Sequence, residues 1–186
     1  MIPDGLPAAL RDYFESSPVA LSLAKAVGDH PLLLTNQRFR DLTGYASNEV
    51  VGQNCRFLQG DSDNQEARIR IHAFLGEKAQ TSVRTAIVNF RKDGKPFVNL
   101  LYMSKLRALT GETRYIFASQ FDVSRTQPER LAEYDAALGQ TLARLAPVAA
   151  ESGIAVEGTL ITIANTAATI AQAKMTLSDL DTSSYL

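Results

Sequence analysis

Apolar residues recur along the chain with two different periods, and the change from one to the other marks the predicted elements. Leu6, Leu10 and Phe14 are spaced four apart after Pro3-Asp4-Gly5, the stripe of a short helix that ends before Pro18. Two apolar runs, Val19 to Leu23 and Leu32 to Leu34, flank Gly28-Asp29-His30-Pro31 and predict two strands joined by a turn. From Asn36 to Gln80 the pattern becomes helical in short pieces: Phe39 to Leu42, Asn48 to Val51, and a longer one at Gln65 to Gly76. Ser82 to Phe90 and Pro96 to Leu106 then read as strands around Lys92-Asp93-Gly94-Lys95, whose Asp-Gly pair supplies the positive φ angles of a tight hairpin. Thr110-Gly111-Glu112 turns the chain into another strand, Thr113 to Val123. Five strands with inserted short helices predict an α+β domain on an antiparallel sheet.

After Ser124 the alternation stops. Leu131, Leu138, Leu142 and Leu145 mark a helical stripe that runs up to Pro147. Val156, Leu160, Ile163, Ala167 and Ile170 follow at spacings of 4, 3, 4 and 3, an a/d-like seam, and the stretch Ser152 to Ala173 reads as a buried helix. Glu157 and the scattered Thr, Asn and Gln set that stretch apart from a membrane span. Its apolar face needs a cover: the domain, the preceding helix, or a second copy. The division expected is a helical cap at 1–17, a central domain at 18–123 and a helical extension at 124–186 that serves dimerisation or signalling.

Composition narrows the partner. Of the 186 residues 45% are apolar, enough for an ordinary core, and 19 basic side chains nearly cancel 20 acidic ones. No broad field for nucleic acid or an acidic membrane surface results, so a small molecule or another protein is expected. A single cysteine makes no internal disulfide, and no basic segment followed by an apolar run opens the chain, which places it in the cytoplasm.

That cysteine, Cys55, stands in Gly52-Gln53-Asn54-Cys55-Arg56-Phe57-Leu58-Gln59-Gly60. Strand alternation adds three further groups, because residues two apart share a face: Ile87 with Asn89, Phe97 with Asn99 and Leu101, and Ile116 with Ala118 and Gln120. Each set mixes apolar residues with one amide, and a buried amide left unpaired costs roughly 1 to 3 kcal/mol. A flat heterocycle with alternating donors and acceptors on one edge would satisfy all three. Taken singly, each residue has an ordinary explanation: a lone cysteine as a small hydrophobe, Arg56 as a solvated charge, an asparagine bonded to water.

Together these residues resemble the LOV domains, flavin-binding blue-light sensors of the PAS superfamily. Asn36-Gln37-Arg38-Phe39, Leu42-Thr43-Gly44-Tyr45, Glu49, the Cys55 motif, Asn89-Phe90-Arg91-Lys92-Asp93-Gly94, Phe97-Val98-Asn99-Leu100 and Ser119-Gln120-Phe121-Asp122 fall in that family's order over residues 18 to 123. The resemblance implies a PAS fold, a five-stranded antiparallel sheet holding oxidised flavin against short helices. It implies that blue light drives the Cys55 thiol onto the flavin C4a carbon while N5 is protonated, and that the adduct breaks in the dark. Asn89 and Asn99 would bond the pyrimidine edge, with Ile87, Leu101 and Ala118 beside the ring. Asn54 and Gln59 would meet the ribityl chain, Arg56 the phosphate, and Gln120 O4 and N5, where a rotating amide reports the proton and relays it to the flanking helices. The family's second phosphate arginine is replaced in the pair Ile71-His72, which leaves Arg68 and His72 as candidates for that end. FMN is the expected cofactor with riboflavin as an alternative, and the short segment after the motif, without an insertion for an adenine, disfavours FAD.

No catalytic constellation stands outside that site: His30 and His72 lie in a turn and a helix, and no glycine-rich phosphate loop follows a strand. The chain resembles the short LOV proteins, sensors without an effector enzyme, and the expected output is a homodimer through the N- and C-terminal helices or an unknown downstream protein. A light-regulated DNA-binding factor is a rival reading, opposed by the absence of Lys and Arg from Glu151 to Ala173. A flavin redox sensor acting without light is another, and it predicts a substrate cavity beside the ring or a response to reductant in darkness.

Overall fold

The computed structural model describes residues 5–125, 127–156 and 166–183. Helix α1 (Ala8–Ser16) is followed by strands β1 (Ala20–Lys25) and β2 (Leu32–Thr35). Helices α2 (Gln37–Thr43) and α3 (Ser47–Val50), a 3-10 helix (Cys55–Gln59) and α4 (Gln65–Gly76) come next. Strands β3 (Ser82–Phe90), β4 (Pro96–Ala108) and β5 (Thr113–Asp122) precede α5 (Pro128–Ala150), β6 (Ile154–Val156) and α6 (Thr166–Ser183). The strands form one antiparallel sheet in the order β2-β1-β5-β4-β3. The five predicted strands are all present, and β6 adds a sixth by pairing with Leu106–Ala108 of β4, in line with β3, whose own pairing begins at Ser82 with Ser104.

The sheet has two unlike faces because its strands alternate. One row of side chains, including Leu21, Leu23, Val98, Leu100, Leu106 and Phe117, faces α1 and α5, which supply Leu10, Phe14, Leu138, Leu142 and Leu145 to the same core. Phe14 meets Phe117 edge to face at 5.7 Å. Helix α6 lies on the same core, with Ala173 buried and Ile170, Leu177 and Leu180 packed against it. The other face carries α2, α4 and the 3-10 helix.

Buried amides tie these short helices to the sheet. Asn36, fully buried, caps α2 by accepting from Phe39 N at 3.0 Å, accepts from Leu21 N, and donates to the carbonyls of Phe14 and Val19. Every hydrogen-bonding site of that amide joins α1, β1 or α2. Asn64 does the same for the outer strand, donating to Val88 O and accepting from Val88 N, each at 2.9 Å. It occupies an otherwise open edge of β3. Gly60 between them has φ 53°, and a Cβ there would stand 2.8 Å from the Phe90 ring, so the end of the Cys55 motif approaches β3 as only glycine allows.

The C-terminal region corrects the pattern reading in two places. Helix α5 continues past Pro147 to Ala150. Proline removes one N–H within the last turn, and burial of Leu145 and Ala149 on either side holds that turn in place. Within the helix expected over 152–173, the described residues 152–156 form a turn and then strand β6, while 166–173 lie in α6. Ile154 and Val156 pair along the open edge of β4. Leu160 and Ile163 lie outside the described residues.

Candidate functional site

Two cavities border the sheet. The larger, about 1290 Å³, is a cleft between the end of β5, α2 and the start of α5. The smaller, about 110 Å³, lies under the 3-10 helix on the pocket face of the sheet, and the chemistry converges on it: Asn54, Cys55, Arg56, Gln59, Ile87, Asn89, Asn99, Leu101, Ala118 and Gln120 all line it. Its volume is below the roughly 300 Å³ of a typical ligand site. Met103, with its unbranched and adaptable stem, is part of the wall.

The register brings the amides together. Asn99 stands opposite Ile87, Leu101 opposite Gln120, and Ala118 opposite both Met103 and Ser22. Asn99 Nδ2 donates to Asn89 Oδ1 at 2.9 Å and Asn89 Nδ2 to Val88 O at 3.1 Å, while Asn99 Oδ1 accepts from Phe121 N at 3.1 Å. These amides thus partly satisfy each other. Each asparagine has used one donor and one acceptor and keeps one of each for a ligand. Gln120, 2% exposed, donates from Nε2 to Ser22 Oγ at 3.1 Å, and its Oε1 is buried without a partner among the described residues. An acceptor in that state awaits a donor.

Cys55 opens the 3-10 helix, whose cap is Asn54: its Oδ1 accepts from Arg56 N at 2.9 Å. Strand β2 holds this segment from below, with Leu32 N donating to Gln53 O and Gly52 N to Leu32 O, both at 2.8 Å. What surface Cys55 exposes belongs to the cavity, and burial pushes its thiol up to about 12. The sulfur therefore carries its proton at any physiological pH.

The mouth differs from expectation. Asn54 Nδ2 donates to Asp29 O at 2.6 Å, and the Arg56 guanidinium forks onto the Asp29 carboxylate, with Nη1 to Oδ1 at 2.7 Å. That guanidinium holds the Asp29 carboxyl below the usual range. Arg68 and His72 are exposed on α4 and do not line the cavity. Helix α4 turns Ile71 and Leu75, four residues apart, inward, which throws His72 outward, so the phosphate role expected of Arg68 and His72 has no support in their placement. Nearby Arg70 donates to Thr85 Oγ1 at 3.3 Å.

The sequence reading missed Ser22, Ala24, His30, Leu32, Ile71, Leu75 and Met103 in the lining. Met103 follows from the alternation of β4 carried one step beyond Leu101, and Ser22 and Ala24 from the same alternation in β1. His30 gives no such signal: it reaches the mouth through a left-handed backbone, φ 51°, in the turn before Pro31.

A family model described as a PAS domain matches residues 20–125. A blue-light-activated histidine kinase of Brucella anthropi is 40% identical over 96 residues, 52% of this chain and 19% of that protein. Blue-light-activated histidine kinase 1 of Erythrobacter litoralis is 40% identical over 103 residues, 55% of this chain and 28% of its own. The match thus spans less than a third of the length of these relatives. The LOV protein of Rhodobacter sphaeroides is similar in structure with a TM-score of 0.69 at 27% identity, over 92% of this chain and 89% of that one.

Proposed function

The chain belongs to the PAS domain family as a LOV domain, and on that premise we propose that it is a blue-light sensor that holds FMN in the Cys55 cavity. The observation that carries the reading is the convergence of a protonated, half-buried thiol with three amides that keep free hydrogen-bonding capacity on one apolar-walled face. When bound, the flavin supplies blue-light absorption, a ring carbon that accepts the Cys55 sulfur and a ring nitrogen that takes up the thiol proton. The residues do the rest. Asn89 and Asn99 present a donor and an acceptor each to a ring edge, while Ile87, Leu101 and Ala118 exclude water from it. Cys55 delivers sulfur and proton together, because burial keeps the thiol neutral. Gln120 offers an amide whose two ends are opposite in polarity, so a half-turn exchanges donor for acceptor at the same place.

At the mouth, Arg56 is the cation for a phosphate and shares its fork with Asp29, while Asn54 and Gln59 border the chain leading to it. Extraction of the chromophore from the purified protein and its chromatography against FMN, riboflavin and FAD tests this end: FMN is expected, and FAD as the main species contradicts it.

Blue-light-activated histidine kinases are among the relatives, and the match covers 19% and 28% of their lengths. Output through the terminal helices, by a homodimer or a partner protein, is the accompanying proposal. Its support is that α6 keeps Met175 63% exposed while its other side packs on the sheet core. Sedimentation in darkness and under blue light is expected to give two different masses, and a single monomeric mass in both contradicts the dimer. No described helix is long and apolar enough to cross a membrane.

A further inference from the structure

Helix α5 crosses the back of the sheet, and Tyr134 in its second turn is where it meets β5. The phenol oxygen shares a hydrogen bond of 2.7 Å with Ser119 Oγ, and the ring stacks on Phe121 with centroids 4.2 Å apart and 7° between planes. Ser119 and Phe121 flank Gln120 in β5, and the alternation that turns Gln120 toward the Cys55 cavity turns both neighbours toward the helix. One side chain of α5 therefore straddles the residue that carries the unpartnered cavity oxygen.

The contact is short-ranged on both counts. Tyr134 is 6% exposed, so no solvent stands by to replace Ser119 as its partner. A gap of roughly 0.5–1 Å forfeits about a quarter to a half of the dispersion attraction of a packed contact, so the stacked rings sense a sub-ångström movement of the strand. The helix has a second anchor one residue on: Asp135 pairs with Arg84 of β3, which is 2% exposed. Arg84, Tyr102 and Ser119 stand opposite one another in a single row across β3, β4 and β5. Helix α5 is seated on this row at both ends, by an ion pair at β3 and by Tyr134 at β5. A shift confined to β5 thus loads one anchor and leaves the other fixed, which tilts the helix instead of carrying it along.

Resting on the flavin reading of the cavity, we infer that Tyr134 is the positioning residue for output: it converts a displacement of β5 at Gln120 into a change in how α5 sits on the sheet. The hydroxyl and the ring have separable parts in this. Tyr134→Phe keeps the stack and removes the bond, Ser119→Ala removes the same bond from the other side, and Tyr134→Leu removes both bond and stack.

The test is hydrogen exchange of the full chain loaded with flavin, in darkness and under blue light, read over residues 128–142, with the absorbance bleach followed in the same samples. The wild type is expected to bleach and to change its exchange over 128–142. Tyr134→Phe and Ser119→Ala are expected to bleach fully with that exchange difference cut at least threefold, and the double variant to lose no more than either single one. Tyr134→Leu is expected to abolish the difference. A wild-type-sized difference in Tyr134→Phe, Ser119→Ala and Tyr134→Leu overturns the inference, and so does a wild type that bleaches with no change over 128–142. A wild type that binds flavin and never bleaches instead removes the photosensing reading on which the inference stands. A structural role alone lowers the dark melting temperature and leaves the exchange difference intact, so the two readouts separate the roles.

Discussion

The two faces of the sheet are built on different rules from the same strands. The face toward α1 and α5 is a sealed apolar core in which Phe14, Leu21, Leu23, Phe117, Leu138 and Leu145 are all fully buried. The face toward the 3-10 helix buries amides, keeps a cavity, and leaves Gln120 Oε1 without a partner among the described residues. One face is packed by its own apolar side chains and the other keeps a cavity lined with amides. Stability is therefore expected to concentrate on the first and chemistry on the second.

Substitutions on each face sharpen that contrast, and the largest effect belongs to the sealed core. Phe14→Ala empties a fully buried ring site and is expected to cost about 3–5 kcal/mol in denaturant unfolding, with any folded fraction still binding flavin. Asn99→Leu leaves Asn89 Oδ1 and Phe121 N without their partner, an expected loss of about 1–3 kcal/mol. Its flavin content, measured as the ratio of flavin to protein absorbance, is expected to fall severalfold, a loss Phe14→Ala does not share per folded molecule. Gln120→Leu removes an unpartnered buried oxygen along with one hydrogen bond, so the expected change in unfolding free energy is within about 1 kcal/mol, while the exchange response of α5 to light is lost.

The last effect is one of pH and is confined to alkaline solution. The Cys55 thiol is raised to about 12 in the fold and titrates near 8.5 in the unfolded chain. Below the unfolded value both states hold the proton and stability does not depend on it. Above that value the unfolded chain ionises first, so stability declines as pH rises toward 12. The melting temperature of Cys55→Ala is expected to fall less steeply than that of the wild type between about pH 8.5 and 10.5. Over the same range the extent of photobleaching in the wild type is expected to stay flat.

The contrast between faces also explains what the sequence disclosed. The cavity face was legible because function fixes its residues by identity: the Cys55 motif and the amides of β3, β4 and β5 recur in a known order, and period-two alternation placed Ile87, Leu101 and Ala118 beside them. The sealed face was legible only as pattern. Stripes located α1 and α5, and any residue of the right volume would have served, so Tyr134 escaped a search for leucines. The stretch after Pro147 misled because apolar spacings of three and four suit a helix while Ile154 and Val156 alternate as a strand, and the open edge of β4 decided between them. At the mouth the sequence named Arg56 but not the Asp29 carboxylate, twenty-seven positions away, that the β1–β2 turn brings to it. Contacts of that range are not written in local pattern.

The central claim is that Cys55 is a photoreactive thiol beside a bound flavin. The most direct measurement is the absorption spectrum of the purified protein in darkness, after a blue flash and during recovery, with Cys55→Ala alongside. The account predicts that the oxidised-flavin band of the wild type bleaches and returns, while Cys55→Ala binds the same flavin and keeps its band. A wild type that holds flavin without bleaching, or a Cys55→Ala protein that bleaches and recovers as the wild type does, would contradict it.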